Sequence, residues 1–280
     1  MEAVESALRP LLRPITHNLP LPVLEAATRL LGEQCTTSLV QNINLADIPC
    51  LKLAISKALG LSIIAASSIV KVPQILKLLN SQSAAGLSFT SYLLETISYL
   101  ITLAYNLRSG HPFSTYGEVA LIAVQNMAIA VLILQYSRKQ GFAAAFVGGI
   151  AAASYALLNE GIVDWEMMKY LQAGAGVLGV AAKVPQILTI AREGGTGQVS
   201  AFAVFNYLAG SLTRIFTTLQ EVDDKLILYG FVAGFVLNAI LAAQMMYYWN
   251  SKSVGPSVRQ GTGLPKSGKN VGRSTTRRKA

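Results

Sequence analysis

The chain has 280 residues, 52% of them hydrophobic and 13% charged, with a mean hydropathy of +0.45. That balance excludes an ordinary soluble domain, because the apolar residues fall in runs of about 20, enough to cross a bilayer. The formal charge of +9 does not point to nucleic acid: Lys252, Arg259, Lys266, Lys269, Arg273, Arg277, Arg278 and Lys279 supply eight of those charges in one Gly-, Ser- and Thr-rich tail without interleaved aromatics.

In chain order, residues 1–48 form an arm bearing Pro10, Pro14, Pro20 and Pro22. Within it PVLEAATRLLGEQ (22–34) reads either as a short amphipathic helix on the membrane surface or as a mobile arm. No basic start leads into an apolar core and cleavage site, so no signal peptide is expected. Cys35 and Cys50 could form one bridge, but free thiols are expected. With His17 and His111 the only histidines, no metal cluster and no cofactor are expected.

Seven apolar spans follow, near 53–78, 87–107, 116–136, 142–158, 166–190, 199–219 and 226–249. The breaks NSQSAAG, RSGHPFS, SRKQG, NEGIVD, REGGTG and QEVDD carry turn and polar residues. The fourth span, FAAAFVGGIAAAS, has the small residues of a closely packed helix. Tyr116, Tyr136, Trp165, Tyr247, Tyr248 and Trp249 stand at span ends, where amphipathic rings meet headgroups. Lys77, Arg138, Lys139, Arg192 and the tail lie on one side, and Glu160, Asp164, Glu221, Asp223 and Asp224 on the other. The positive side is cytosolic, so the tail is expected in the cytosol and the N-terminus in the lumen or exterior.

The hexapeptide KVPQIL occurs at 71–76 and again at 183–188. Lys71 and Lys183, Pro73 and Pro185, Gln74 and Gln186, and Ser88 and Ser200 are all 112 residues apart. The expected fold is therefore an all-α membrane protein whose seven transmembrane helices form two parallel three-helix repeats joined by a linker helix, a 3+1+3 plan. Its boundaries are a lumenal arm at 1–48, a first repeat at 49–137, a linker helix at 138–160, a second repeat at 161–249 and a basic cytosolic tail at 250–280.

The polar residues inside the spans are the candidate site. Pro73 and Pro185 each remove a backbone donor and clash with the carbonyls of Ile69 and Ala181, giving either symmetric hinges or static bends. Gln74, Gln186 or water could satisfy the freed carbonyls. Lys71 and Lys183 cost about 3 kcal/mol each at mid-bilayer, so they either snorkel or face a cavity. Glu95 sits in mid-span with no short route to water, and Arg214 is its counterpart in the sixth span, though out of register: 112 residues beyond Glu95 is Tyr207. Asn206, Gln125, Asn126, Asn238 and Gln244 add polar positions, most of them read as interhelical hydrogen bonds. Lys71, Lys183 and Arg214 against Glu95 leave an excess of cation, which suits an anion and most obviously phosphate. The path-lining set is thus Lys71, Gln74, Glu95, Lys183, Gln186, Asn206 and Arg214. Asp223 and Asp224 read as a solvated turn, and with no nucleophile beside a base and no Gly-rich phosphate loop, no enzyme is expected.

Paired Pro-Gln motifs in this plan resemble the PQ-loop family, relatives of the SWEET sugar transporters and the lysosomal cystine carrier. SSIVKVPQILK, SAAGLS, HPFSTYGE, TGQVSAF and GSLTRIFTTLQE resemble one branch, the mannose-phosphate-dolichol utilization defect proteins. The resemblance covers about residues 50–250 and carries over Lys71, Pro73, Gln74, Glu95, Glu118, Lys183, Pro185, Gln186 and Arg214. It implies an endoplasmic reticulum protein needed for lumenal use of mannose-P-dolichol and glucose-P-dolichol, hence for N-glycan precursors, GPI anchors and O- or C-mannosylation. The implied partners are those dolichol-linked sugar phosphates, membrane lipid and dolichol-dependent glycosyltransferases. Two rival classes stay open: a proton-coupled carrier of a soluble sugar or amino acid, and a non-transporting chaperone or scaffold.

Overall fold

The computed structural model describes residues 10, 13–14, 16–84, 87–137, 140–181, 183–193 and 201–249. The basic tail at 250–280, Ser200, Arg138 and Lys139 lie outside the described residues.

The arm contains helix α1 (Leu21–Thr36), kinked at Gly32, where φ is 78°, and ending in a π-turn over Thr37–Gln41. The chain then folds back: the Ser38 hydroxyl donates to Asp47 Oδ2 at 2.6 Å, and Asp47 caps the next helix by accepting from the Cys50 N–H. This return sets Cys35 beside Cys50, 5.1 Å apart at Cα, and they form a disulfide. The expectation of free thiols is thereby corrected. Cys50 lies not before the first span but in its first turn.

That span runs over Ile48–Ser81 as two helices, α2 (Ile48–Ser67) and α3 (Val72–Ser81), separated by the turn at 68–71. After it come α4 (Phe89–Arg108), α5 (Phe113–Tyr136) and α6 (Gln140–Leu158). The second broken span, Trp165–Arg192, comprises α7 (Trp165–Ala181) and α8 (Val184–Glu193), and α9 (Ala201–Glu221) and α10 (Lys225–Tyr247) complete the described chain. Among the described residues the fold is all helical.

Five stretches are long and apolar enough to cross a membrane: Ile48–Ser81, Phe113–Tyr136, Gly141–Leu158, Trp165–Arg192 and Lys225–Tyr247. The chain is therefore a multi-pass membrane protein. α4 and α9, expected as the second and sixth spans, have the length, at 20 and 21 residues, but are less apolar. They carry Glu95 and Arg214, and each is packed among neighbours: α4 against α5, α6 and α7, and α9 against α10, α2 and α5. A helix covered by other helices can hold polar side chains that lipid would not tolerate.

Close approach positions the site at one crossing. A Cβ on Gly60 of α2 would lie 2.6 Å from the Ser114 carbonyl oxygen of α5, so only glycine lets these helices meet there.

Candidate polar site between the repeats

Each KVPQIL segment starts a new helix after a break rather than kinking a continuous one. Pro73 sits in the first turn of α3, where proline's missing N–H costs nothing. The freed backbone is satisfied by Gln125 of α5, not Gln74: its amide donates to the Ser67 carbonyl at 2.8 Å and its oxygen accepts from the Lys71 N–H at 2.8 Å. Gln74 instead donates to the Tyr92 hydroxyl. In the second repeat Gln244 donates to the Ile187 carbonyl at 3.1 Å, while Gln186 is exposed on α8.

Both motif lysines turn inward. The Lys71 ammonium donates to Glu95 at 2.8 Å and to Asn126 Oδ1 at 2.5 Å, and lies 5.4 Å from the centre of the Tyr92 ring. Asn126, fully buried, donates to the Tyr92 carbonyl and the Thr96 hydroxyl. The Tyr99 hydroxyl completes the cluster by donating to Glu95 at 2.6 Å. Glu95 is 38% accessible and opens outward from its lysine. Lys183 repeats half of this pattern: it donates to Asn238 Oδ1 at 2.6 Å and lies 5.7 Å from the Tyr207 ring centre. Asn238 in turn donates to the Tyr207 carbonyl and the Ser211 hydroxyl.

These matching contacts correct the register. Asn126 and Asn238 keep the offset of 112, but Tyr92 answers to Tyr207 and Thr96 to Ser211, an offset of 115. The second repeat has gained three residues between its lysine and its tyrosine. Glu95 therefore corresponds to Gly210 and Tyr99 to Arg214. Arg214 is not the mate of Glu95.

Arg214, 6% accessible on α9, forms an ion pair with Glu118 of α5 and donates to the Ser114 carbonyl at 3.3 Å. Two turns further along α9, Glu221 accepts from Ser56 at 2.5 Å, Lys57 at 2.7 Å and Ser114 at 2.5 Å. Glu221 thus belongs to the helix and not to the solvated turn, which begins at Val222. Both pairs cross between the repeats. The expected cation excess shrinks accordingly: Lys57, Lys71, Lys183 and Arg214 face Glu95, Glu118 and Glu221. Among the described residues Lys183 has no carboxylate within ion-pair distance.

Beside this network lies a cavity of about 720 Å³, bounded by α4 and α5 of the first repeat and by α7, α9 and α10 of the second. Gly176, Gly179, Gly230 and Gly234 keep it wide, and Lys183, Glu118, Asn106 and Gln172 are its main polar groups. At the end formed by the loops at 109–112, 159–164 and 222–224, Tyr105 donates to Asp224 at 2.6 Å and stacks on Trp165. Asn106 there contacts His111 Nδ1 at 3.0 Å, and burial holds the His111 imidazole below its usual pKa despite Asp224 at 4.0 Å.

The PQ loop repeat pattern matches residues 55–115 and again residues 167–227. The chain thus holds two segments similar to that repeat. It is also similar to solute carrier family 66 member 3 of Homo sapiens, 29% identical over 182 residues that cover 64% of this chain and 87% of the relative. No solved structure matches.

Lys71, Glu95 and Gln74 gather in the first repeat, Lys183 of the second reaches the shared cavity, and Arg214 and Glu118 join the two halves. Asn206 lies on α9 beside Tyr207, and Pro73 and Pro185 mark the breaks. Lys57, Glu221, Asn126 and Asn238 carry more of the network than sequence reasoning assigned them. The asparagines stand at the KVPQIL spacing of 112, a signal that could have found them. Glu221 beside Val222, Asp223 and Asp224 offers none.

Proposed function

We propose that this membrane protein binds lipid-linked sugar phosphates, mannose-P-dolichol and glucose-P-dolichol, and lets their headgroups pass between its PQ-loop repeats in the endoplasmic reticulum membrane. The observation that carries this reading is the cavity between the repeats. Its volume and small-residue apolar walls suit a lipid-linked headgroup, and its unneutralised lysine suits a phosphodiester. On this reading α4 and α9 also span the bilayer, making seven spans in a 3+1+3 plan around α6. The disulfide supports an oxidising, lumenal side for the arm, and the tail then faces the cytosol. The protein performs no chemistry of its own here; it serves glycosyltransferases that consume dolichol-linked sugars.

The test is complementation. In cells defective in dolichol-linked mannose use, the full chain should restore lumenal mannosylation and GPI-anchor assembly. One observation favours a second reading: the similar human protein is named a solute carrier, which fits a carrier of a small soluble sugar or amino acid. Failure to complement, together with uptake of a soluble sugar or amino acid by proteoliposomes, would overturn the lipid reading in favour of the second.

A further inference from the structure

The two repeats share a lysine, an asparagine and a tyrosine in the same arrangement, but not the acid. In the first repeat Lys71 is held by Asn126, Tyr92 and Glu95. In the second, Lys183 is held by Asn238 and Tyr207, and the position answering to Glu95 is Gly210. The assignment of Gly210 rests on contacts flanking it on both sides: Asn238 bonds the Tyr207 carbonyl and the Ser211 hydroxyl as Asn126 bonds the Tyr92 carbonyl and the Thr96 hydroxyl. The missing side chain is not excluded by crowding, because a Cβ on Gly210 would meet nothing within 4 Å.

The charge consequences differ in place as well as sign. Lys71 is neutralised within its own repeat. Lys183 lines the cavity between the repeats, where the other ionised group on the wall, Glu118, is already paired with Arg214. A half-buried ammonium whose one hydrogen-bond acceptor among the described residues is an amide oxygen retains a net positive field and free donor capacity.

We propose that the absence of a carboxylate at Gly210 leaves Lys183, positioned by Asn238 and Tyr207, as the binding group for one phosphate-ester anion in the cavity, while the equivalent Lys71 is closed off by its own Glu95. This deepens the functional reading above and rests on it for the lipid source of the anion. The second repeat is the binding half and the first its self-neutralised copy.

The test restores the missing symmetry. Gly210→Glu should place a carboxylate on Lys183 as Glu95 sits on Lys71, and Gly210→Gln adds the same bulk without charge. The full chain in lipid nanodiscs is titrated with mannosylphosphoryl-polyprenol, with inorganic phosphate and with uncharged polyprenol. Gly210→Glu should weaken binding of the phosphorylated lipid at least about tenfold, whereas Gly210→Gln stays within about threefold of the unaltered chain. Should Gly210→Glu fail to fold, Lys183→Gln must show the same loss.

Equal binding by the Glu and Gln variants, both folded, overturns the site and leaves the functional reading standing. Binding of inorganic phosphate but not of the lipid, with the same Glu-against-Gln contrast, keeps the site and overturns the lipid reading. Binding of polyprenol as tight as that of its phosphorylated form overturns the anion site. No binding of any probe overturns both.

Discussion

Glu221 is the point at which the two repeats are most strongly tied, so its removal is the sharpest test of the network. Its side chain is 1% accessible and takes hydrogen bonds from Ser56, Lys57 and Ser114, on two helices of the other repeat. Replacing it with leucine strands the Lys57 ammonium, itself 14% accessible, and leaves two hydroxyls without their acceptor. Breaking one side of a buried pair costs about 3–5 kcal/mol; the partial exposure of Lys57 places the expected loss near about 3 kcal/mol. Lys57→Met strands the carboxylate instead and should cost about as much. The double variant removes both charges, so it should lose little more than either single one, giving a coupling energy of about 2–3 kcal/mol. Reversible unfolding of the purified protein in mixed micelles, with denaturing detergent as titrant, measures all three. If the single losses simply add, or each is below about 0.5 kcal/mol, the pair is not buried and the repeats are not joined there.

Asn126→Leu should destabilise by about 2–4 kcal/mol in the same unfolding assay, because it strips a fully buried amide from Lys71, Tyr92 and Thr96; Asn238→Leu should lose a similar amount through Lys183, Tyr207 and Ser211. Cys35 and Cys50 should resist thiol alkylation until reduced, and Cys35→Ser should make Cys50 reactive; two freely reactive thiols in the untreated protein would contradict the bridge. His111 is held below its usual pKa by burial, so its neutral form is the native one. The unfolded chain takes up the proton first. Stability is therefore full above the ordinary value of 6.5 and falls as pH drops from there toward the lower native pKa, a slope that His111→Gln should flatten.

Much of the architecture was legible because hydropathy and the repeated hexapeptide are local signals. The breaks in the first and fifth spans fall where KVPQIL places its prolines, and the arm forms the helix that its amphipathic pattern allowed. Register across the repeat was not legible from the hexapeptide. The three residues gained between Lys183 and Tyr207 shift α9 against an offset that holds at both ends of the comparison, Lys71 with Lys183 and Asn126 with Asn238. Only contacts that tie Tyr207 to Asn238 reveal the slip. Charge was misjudged for a related reason. Glu118 and Glu221 stand near helix ends, where an acid usually meets water, and nothing in their neighbourhood announces that α9 will fold them against α2 and α5. The disulfide joins cysteines 15 apart across a turn whose return depends on Ser38 and Asp47, a side-chain contact that spacing does not encode.

The distribution of pairs has a mechanical consequence. Lys71 and Glu95 lie in one repeat and stay together however the halves move. The pairs of Arg214 with Glu118 and Lys57 with Glu221 cross the seam, and so do the packings of α4 on α7 and of α9 on α2 and α5. Beyond the breaks, α3 packs mainly on α5, and α8 on α7 and α10, each within its own repeat. The seam is thus joined on the side of α2, α4 and α7 and slack beyond the lysines. Parting the joined side dry would strand four charges, at about 3 kcal/mol or more for each broken pair. Two such losses exceed the roughly 5.5 kcal/mol that turns a 1:99 population into 99:1. A seam meant to open must therefore admit water as it parts, and charged residues permit this, since each is well solvated once separated. Leucines at the same positions would hold the closed seam as firmly and expose apolar surface on opening. Ionic closure at Glu118 and Glu221 is what makes the proposed passage compatible with a stable resting state.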